Sequence, residues 1–393
     1  MATFPRVVLR KGKEKPLLRG HPWVFSGAVA RLEGDPQPGD TADLYASNGR
    51  FLGRGHVNPN SQILLRILTH EKEPLTADFL RERIVKARLR REPRFIGETD
   101  AYRVVNSEGD LLPGLIVDRY GDVLVVQCLT AGMERWKGLL VDLLVQECKP
   151  RSVYERSDAP TRKEEGLPGA MGLHYGREIP ELIEIAELGC RFRVNLRSGQ
   201  KTGFYLDQRE NRLLLQGWAL GRDVLDCCCY TGAFSIHAGR GRAKTLTLVD
   251  ASDEALARAE EHLSLNGLDP LPHRLIRGDA FEVMRGLESR YDLVVLDPPP
   301  FAKKKSHLST ASRGYKDLNL QAFRLLRQGG LLLTFSCSHH MGWDLFQKVV
   351  FSAAVDSGQE VQLLGRRGQS IDHPIHLCHP EGEYLRGLIC RVL

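Results

Sequence analysis

Two short stretches concentrate the reactive side chains of this sequence: "TFSCSHH", with Cys337 between two serines, and "LDPPPF", with Asp297 ahead of three prolines. Each follows an apolar run, so each reactive side chain arrives at the end of a predicted strand. A thiolate is a nucleophile, and a carboxyl group can hold or give a proton. Taken alone, Cys337 has a simpler reading as a small buried hydrophobe, and Asp297 as a helix cap. They do not stand alone. Asp226, Asp250 and Asp279 also follow strand-like runs, "DVL", "TLTLV" and "HRLIRG". Four acids at four strand ends imply one shared cleft.

The elements that place them begin near residue 190. Strands and helices alternate from "DVLDCCC" through "TLTLVD", "HRLIRGD" and "YDLVVLD" to "GGLLLTFSCS". Repeated βα units predict an α/β fold, a doubly wound and mostly parallel sheet of Rossmann-like class. Such sheets bind ligands beyond the carboxyl ends of their strands, where these residues fall.

An acid after the second strand suits a ribose diol. The first turn, "DCCCYTG", has Cys228, Tyr230 and Gly232 where a dinucleotide-binding turn carries glycines. Close backbone approach to a pyrophosphate needs more than one glycine, so a cofactor without one fits better. S-adenosylmethionine is the candidate. Asp226 with Tyr230, Thr231 and Gly232 would face its methionine end, Asp250 its ribose, and Asp279, Ala280 and Phe281 its adenine. A thiol beside a methyl donor points to one reaction. Carbon 5 of a pyrimidine is a poor nucleophile, and addition of the Cys337 thiolate at carbon 6 makes it enamine-like. An acid near ring nitrogen N3, such as Asp297, would stabilise the adduct.

Other reactive-looking residues carry less. Adjacent thiols on a strand point to opposite faces, so Cys227, Cys228 and Cys229 cannot all meet one metal and read as small apolar residues. The tail "DHPIHLCHPEGEYL" crowds His373, His376, Cys378 and His379, but their spacing matches no pair of zinc hooks, and no metal is expected. Glu381 and Glu383 there are both candidates for the base that removes the carbon-5 proton.

At 393 residues the chain predicts two or three domains. Residues 1–72 read as short strands with an Asn48-Gly49 hairpin turn, a small β-barrel. Residues 73–190 read as a central α+β domain. It opens with a helix capped by Thr76 and stopped at Pro93, and has a second helix from about Met133 to Gln146. Residues 191–393 hold the βα repeats. Nine cysteines argue for reduced thiols. With no long apolar run and a charged start, "MATFPRVVLRKGKEK", a cytoplasmic protein without a membrane span is expected. The net charge is +6, and basic residues cluster between Arg6 and Arg19, in "KARLRREPR" and at Lys303-Lys304-Lys305, which leans toward nucleic acid.

Six stretches together, "RGHPWVFSGAVARLEG", "NSEGDLLPGLIVDRYGD", "GQKTGFYLDQRENR", "LDPPPF", "SRGYKDLN" and "FSCS", resemble the bacterial 23S rRNA (cytosine-5) methyltransferases, the ribosomal RNA large subunit methyltransferase I family. The likeness runs in order over nearly the whole chain. It implies an N-terminal PUA-like RNA-binding domain, a central α+β domain and a C-terminal methyltransferase. It also implies S-adenosylmethionine as donor, a cytosine in 23S rRNA or a large-subunit precursor as target, and Cys337 as nucleophile. By the same resemblance, "GQKTGFYLDQR" folds over the cofactor–substrate cleft, offering Lys201, Phe204, Asp207 and Arg209. Two departures are local: a third proline, Pro300, and the triple cysteine. Guanine-N7 methyltransferases share the "DPP" frame, so base identity rests on Cys337 and the full-length match. The competing readings are methylation of a base nitrogen, which needs no thiol, and an RNA-binding assembly factor. The barrel and central segment offer surface for a homodimer.

Overall fold

A computed structural model describes residues 4–95, 97–288, 290–302 and 304–393. Of the basic clusters, Lys303 lies outside these. The chain forms two compact units. The first comprises residues 1–185, 194–206 and 371–382, and the second residues 186–193, 207–370 and 383–393. No helix among the described residues is long and apolar enough to cross a membrane.

The first unit holds two sheets. One has six strands between Arg6 and Thr69, largely antiparallel, around Val7, Leu9, Leu44, Val57 and Leu65. Its Thr41–Tyr45 and Phe51–Val57 strands pair across the Asn48-Gly49 turn, where Gly49 takes φ +83°. The other sheet has five strands, from Ala101–Asn106 to Ala170–Gly176, and two helices pack on it through Leu80, Ile84, Leu140 and Leu144.

Two helix boundaries differ from expectation. The Ala77–Phe95 helix accepts the Thr76 cap, with Phe79 N donating to Thr76 Oγ1 at 3.3 Å, but runs past position 93. A proline in the last turn forfeits one backbone donor and need not end the helix there. The expected Met133–Gln146 helix is two, Ala131–Arg135 and Lys137–Cys148. They divide at Trp136, whose ring meets His56 at 4.1 Å.

The second unit is built on one seven-stranded sheet. Its strands are β1 (Asp223–Cys227), β2 (Thr245–Asp250), β3 (His273–Arg277), β4 (Tyr291–Leu296), β5 (Leu326–Ser336), β6 (Val361–Arg367) and β7 (Arg386–Val392). The order is β3-β2-β1-β4-β5-β7-β6. Strands β1 to β5 are parallel, and β7 runs antiparallel to both neighbours. Its helices are α1 (Arg209–Trp218), α2 (Ala233–Arg240), α3 (Asp253–Leu265), α4 (Ala280–Gly286), α5 (Leu308–Leu325) and α6 (Trp343–Ser357). The central strands are buried on both faces: Leu225, Leu293, Val294, Val295 and Leu332 expose nothing. That is why they read as continuous apolar runs. The strand order reverses between β1 and β4, which puts the ligand crevice beyond their carboxyl ends.

Candidate active site

Each acid of the predicted row reaches the carboxyl edge of the sheet. Asp226 is the penultimate residue of β1, Asp250 the last of β2, Asp297 the first after β4, and Asp279 follows β3 by two residues. All four raise the Cys228 thiol pKa electrostatically, after burial itself, so the structure gathers them around one point.

Between them runs the β1–α2 turn. Cys228, Tyr230 and Gly232 all take left-handed backbone, with φ of +59°, +50° and +75°. Cys228 and Tyr230 stand at the first two glycine positions of a G-x-G-x-x-G turn and Gly232 one residue before the third, so the turn keeps a glycine-like conformation with one glycine. Backbone bonds hold it: Cys229 N donates to Val249 O at 3.1 Å and Gly232 N to Cys229 O at 2.9 Å. Gly232 has a second reason to be glycine, because a Cβ there would stand 2.9 Å from Ala259 Cβ, where α3 packs close.

The strand ends at Cys227, so side-chain alternation does not extend through the three cysteines as the sequence suggested. Cys227 and Cys229 are buried, and Cys228 is partly exposed in the turn. Burial pushes all three thiols above their usual range, which keeps them protonated.

Asp226 is 1% exposed. Its Oδ2 accepts from Ser235 N at 3.2 Å and Ser235 Oγ at 2.7 Å. Its Oδ1 is buried with no hydrogen-bond partner among the described residues. Burial pushes this carboxyl up to about 7, and the Asp297 and Asp250 charges add to it against the Ser235 bonds. An unmatched buried acceptor beside a glycine-like turn fits a ligand carrying an ammonium group. Asp250 holds the turn itself: its Oδ2 accepts from Tyr230 N and its Oδ1 from Ser252 N, both at 2.9 Å. Thr231 is buried with its Oγ1 unpartnered among the described residues. Asp279 caps α4, accepting from Phe281 N at 2.9 Å, and Ala280 and Phe281 open that helix partly exposed.

Cys337 follows β5 and is partly exposed between Ser336 and Ser338, which are fully buried. Its Sγ lies 3.8 Å from Pro298 O, on the loop that carries Asp297. The nucleophile candidate and the acid candidate therefore sit on adjoining loops of adjacent strands.

The "GQKTGFYLDQR" motif is shared between the units. In the first, Lys201 is exposed with its Nζ 4.8 Å from the Tyr205 ring centre. Phe204 is buried, and its N donates to Tyr120 Oη at 3.3 Å. In the second, Asp207 accepts from Tyr384 Oη at 2.6 Å, and Arg209 Nη1 donates to Ser370 Oγ at 3.0 Å. Both are buried. The residue between them was missed by sequence reasoning. Gln208 Nε2 donates to Asp297 Oδ2 at 2.9 Å. Asn211 Nδ2 donates to Gln208 Oε1 at 2.6 Å, which leaves the Gln208 amide NH2 for Asp297. Ser235 was missed too; only its place just past the glycine-like turn hinted at it. Of the two base candidates, Glu381 belongs to the first unit and meets His21 Nε2 at 3.3 Å. Glu383 belongs to the second and accepts from Trp343 Nε1 at 2.9 Å.

Residues 7–70 match the family described as PUA-like domain, and residues 169–357 the S-adenosylmethionine-dependent methyltransferases. The chain is 44% identical over 396 residues to the ribosomal RNA large subunit methyltransferase I of Yersinia pestis, covering 99% of each. It is 46% identical over 395 residues to the same-named protein of Shewanella denitrificans, covering 98% of this chain and 99% of that one. A solved structure from Streptococcus mutans, named as a candidate methyltransferase of this class, superposes with a TM-score of 0.85 at 24% identity, over 98% of this chain and 100% of that one. A candidate methyltransferase crystallised with S-adenosylhomocysteine gives a TM-score of 0.86 at 25% identity over the same shares.

Proposed function

Because the chain belongs to the ribosomal RNA large subunit methyltransferase I family and depends on S-adenosylmethionine, we propose that it methylates carbon 5 of a cytosine in 23S rRNA through a covalent bond to Cys337. The observation that carries this reading is the position of Cys337. Its thiol is partly exposed at the end of β5, next to the Asp297 loop. Methylation of a ring or exocyclic nitrogen would need no such thiol.

Bound S-adenosylmethionine supplies an electrophilic methyl group on a sulfonium. Asp226 and the Tyr230-Thr231-Gly232 turn are the residues to hold its methionine end, Asp250 its ribose, and Asp279, Ala280 and Phe281 its adenine. The Cys337 thiolate adds to carbon 6 of cytosine, and the C5=C6 electron pair moves to carbon 5. A proton shared between N3 and the Asp297 carboxyl disperses the charge of that adduct. Carbon 5 takes the methyl group with that electron pair, the S–CH3 bond breaks to leave S-adenosylhomocysteine, and a base then removes the carbon-5 proton. The C5–H electrons rebuild the double bond, and the C6–S bond breaks to return the thiolate. The PUA-like segment is the part to grip the RNA. A 5-fluorocytosine rRNA fragment tests the sequence of bonds, because fluorine cannot leave as a proton does. A protein–RNA adduct stable to denaturation is expected, and its absence would refute the covalent route.

Two further results follow from the site. Below about pH 7 the Asp226 carboxyl is protonated in the cofactor-free protein and cannot pair with an ammonium. Affinity for S-adenosylhomocysteine, measured by calorimetry, should therefore fall by up to about tenfold per pH unit below 7, and Asp226→Asn should flatten that profile. Stability moves in the opposite sense. The folded chain holds a proton there that the unfolded chain has lost, so this contribution declines as pH rises from about 4 to about 7. Gln208→Leu removes one hydrogen bond to a carboxyl group. It should lower kcat about tenfold with cofactor affinity within about twofold, by the worth of a bond of ~1.5 kcal/mol. An unchanged kcat would sever Gln208 from the reaction.

A further inference from the structure

The "SRGYKDLN" stretch, Ser312 to Asn319, has no role in the mechanism so far. It forms the middle of α5, and Tyr315 within it is completely buried. Its ring belongs to an aromatic row, 4.7 Å from Phe301 and 5.7 Å from Phe346. A phenylalanine would fill that place. A buried hydroxyl costs free energy unless it is bonded, so the oxygen needs a reason.

The reason lies behind the thiol. Tyr315 Oη is 3.0 Å from Ser338 Oγ, and Ala302 N donates to the same Ser338 oxygen at 3.2 Å. Burial raises the Tyr315 phenol, and the hydroxyls of Ser336 and Ser338, the serines that flank Cys337, act against that rise. Ser338 N closes the turn on Ser336 Oγ at 3.4 Å. One buried knot thus joins three segments: the end of β5, the loop after β4 and α5. The rest of the motif supports it. A Cβ on Gly314 would stand 3.3 Å from the Phe301 ring, so glycine lets that loop close. Asn319 Nδ2 donates to Tyr315 O at 2.7 Å.

We propose that Tyr315 and Ser338 are positioning residues whose paired hydroxyls set the separation between Cys337 and the Asp297 loop. Neither touches substrate. They act by fixing two loops whose reactive groups must meet opposite sides of one pyrimidine. The proposal rests on the reading of Cys337 as nucleophile. It separates two jobs within "SCS": the outer serines hold, and the cysteine reacts.

The test compares wild type, Tyr315→Phe, Ser338→Ala, the double variant and Cys337→Ala in the full chain. The readout is the rate of adduct formation with a 5-fluorocytosine rRNA fragment and saturating S-adenosylmethionine. Rates are expressed per folded site, counted by S-adenosylhomocysteine binding, so lost protein does not register as lost rate. Each single variant should form adduct about tenfold or more slowly with unchanged cofactor affinity, and kcat should fall while KM holds. The double variant should be no slower than Ser338→Ala alone, because both changes break the same knot. Alkylation of Cys337 by iodoacetamide, followed by mass spectrometry without cofactor, should also change in Tyr315→Phe. Wild-type adduct rates in both single variants would overturn the positioning role while leaving the nucleophile intact. No adduct in wild type, or an adduct in Cys337→Ala, would overturn the nucleophile and the positioning role with it. Should Ser338→Ala not fold, Tyr315→Phe keeps the ring and decides the question.

Discussion

Cys337→Ala is expected to lower methyl transfer to 23S rRNA by on the order of 10³-fold or more, about 4 kcal/mol of barrier. Carbon 5 of cytosine has no other route to nucleophilic character, so the loss is of the step and not of its efficiency. The substitution removes one sulfur from a partly exposed position, where Sγ approaches Pro298 O at 3.8 Å. The thermal midpoint and S-adenosylhomocysteine affinity should therefore stay near wild type. Cys337→Ser should be nearly as slow, because a hydroxyl at neutral pH supplies far less anion than a thiol. Labelled-methyl transfer to rRNA, at matched cofactor occupancy, decides it. Residual transfer within tenfold of wild type would move the target from carbon 5 to a nitrogen.

The largest effect on stability should come from Glu187, which lies far in sequence from the reacting groups. It is wholly buried, and Arg212 grips it with two bonds, Nε to Oε1 at 2.6 Å and Nη2 to Oε2 at 2.7 Å. Arg209 Nε approaches Oε2 at 3.6 Å, and His237 Nε2 approaches Oε1 at 3.3 Å. Burial alone would raise this carboxyl, but the Arg212 charge leads a set of interactions that holds it at about 2. Glu187→Ala leaves two arginines, each 1% exposed, without their shared anion. Breaking such a pair costs roughly 3–5 kcal/mol, against a total stability of 5–15. The variant should unfold at clearly lower denaturant than wild type. Because the folded pKa is depressed, the stabilisation is complete above about pH 4.5 and is lost as pH falls toward 2. A midpoint within experimental scatter of wild type would refute the argument. Its reach extends to the site, since α1 starts at Arg209 and the residue before it is Gln208.

How far the sequence carried depended on distance along the chain. An acid directly after an apolar run is a local signal, so Asp226, Asp250, Asp279 and Asp297 could be placed at strand ends, and the βα alternation predicted the parallel strands that align them. Partnerships across long separations left no such trace. Gln208 meets Asp297 from 89 residues away, and Glu187 meets Arg212 and His237 from 25 and 50. In the Ile183–Glu187 strand the alternation puts Glu187 on the same buried face as Ile183 and Ile185, but an acid there has no local sign of the arginines that neutralise it. Local rules also failed where a conformation was inherited from its surroundings. The helix crosses position 93 because packing outweighs one missing donor, and alternation stops at Cys227 because the chain turns.

That turn has a consequence for how this protein can change. Cys228 and Tyr230 occupy left-handed backbone that disfavours L side chains by about 1–2 kcal/mol per residue, and neighbouring backbone bonds hold them there. What the turn requires is a set of dihedral angles, which this chain reaches with two non-glycine residues. An engineered variant with glycine at either position would gain some relief of strain, offset by the added freedom of the unfolded chain. The β1–α2 turn thus has latitude for mutation at Cys228 and Tyr230.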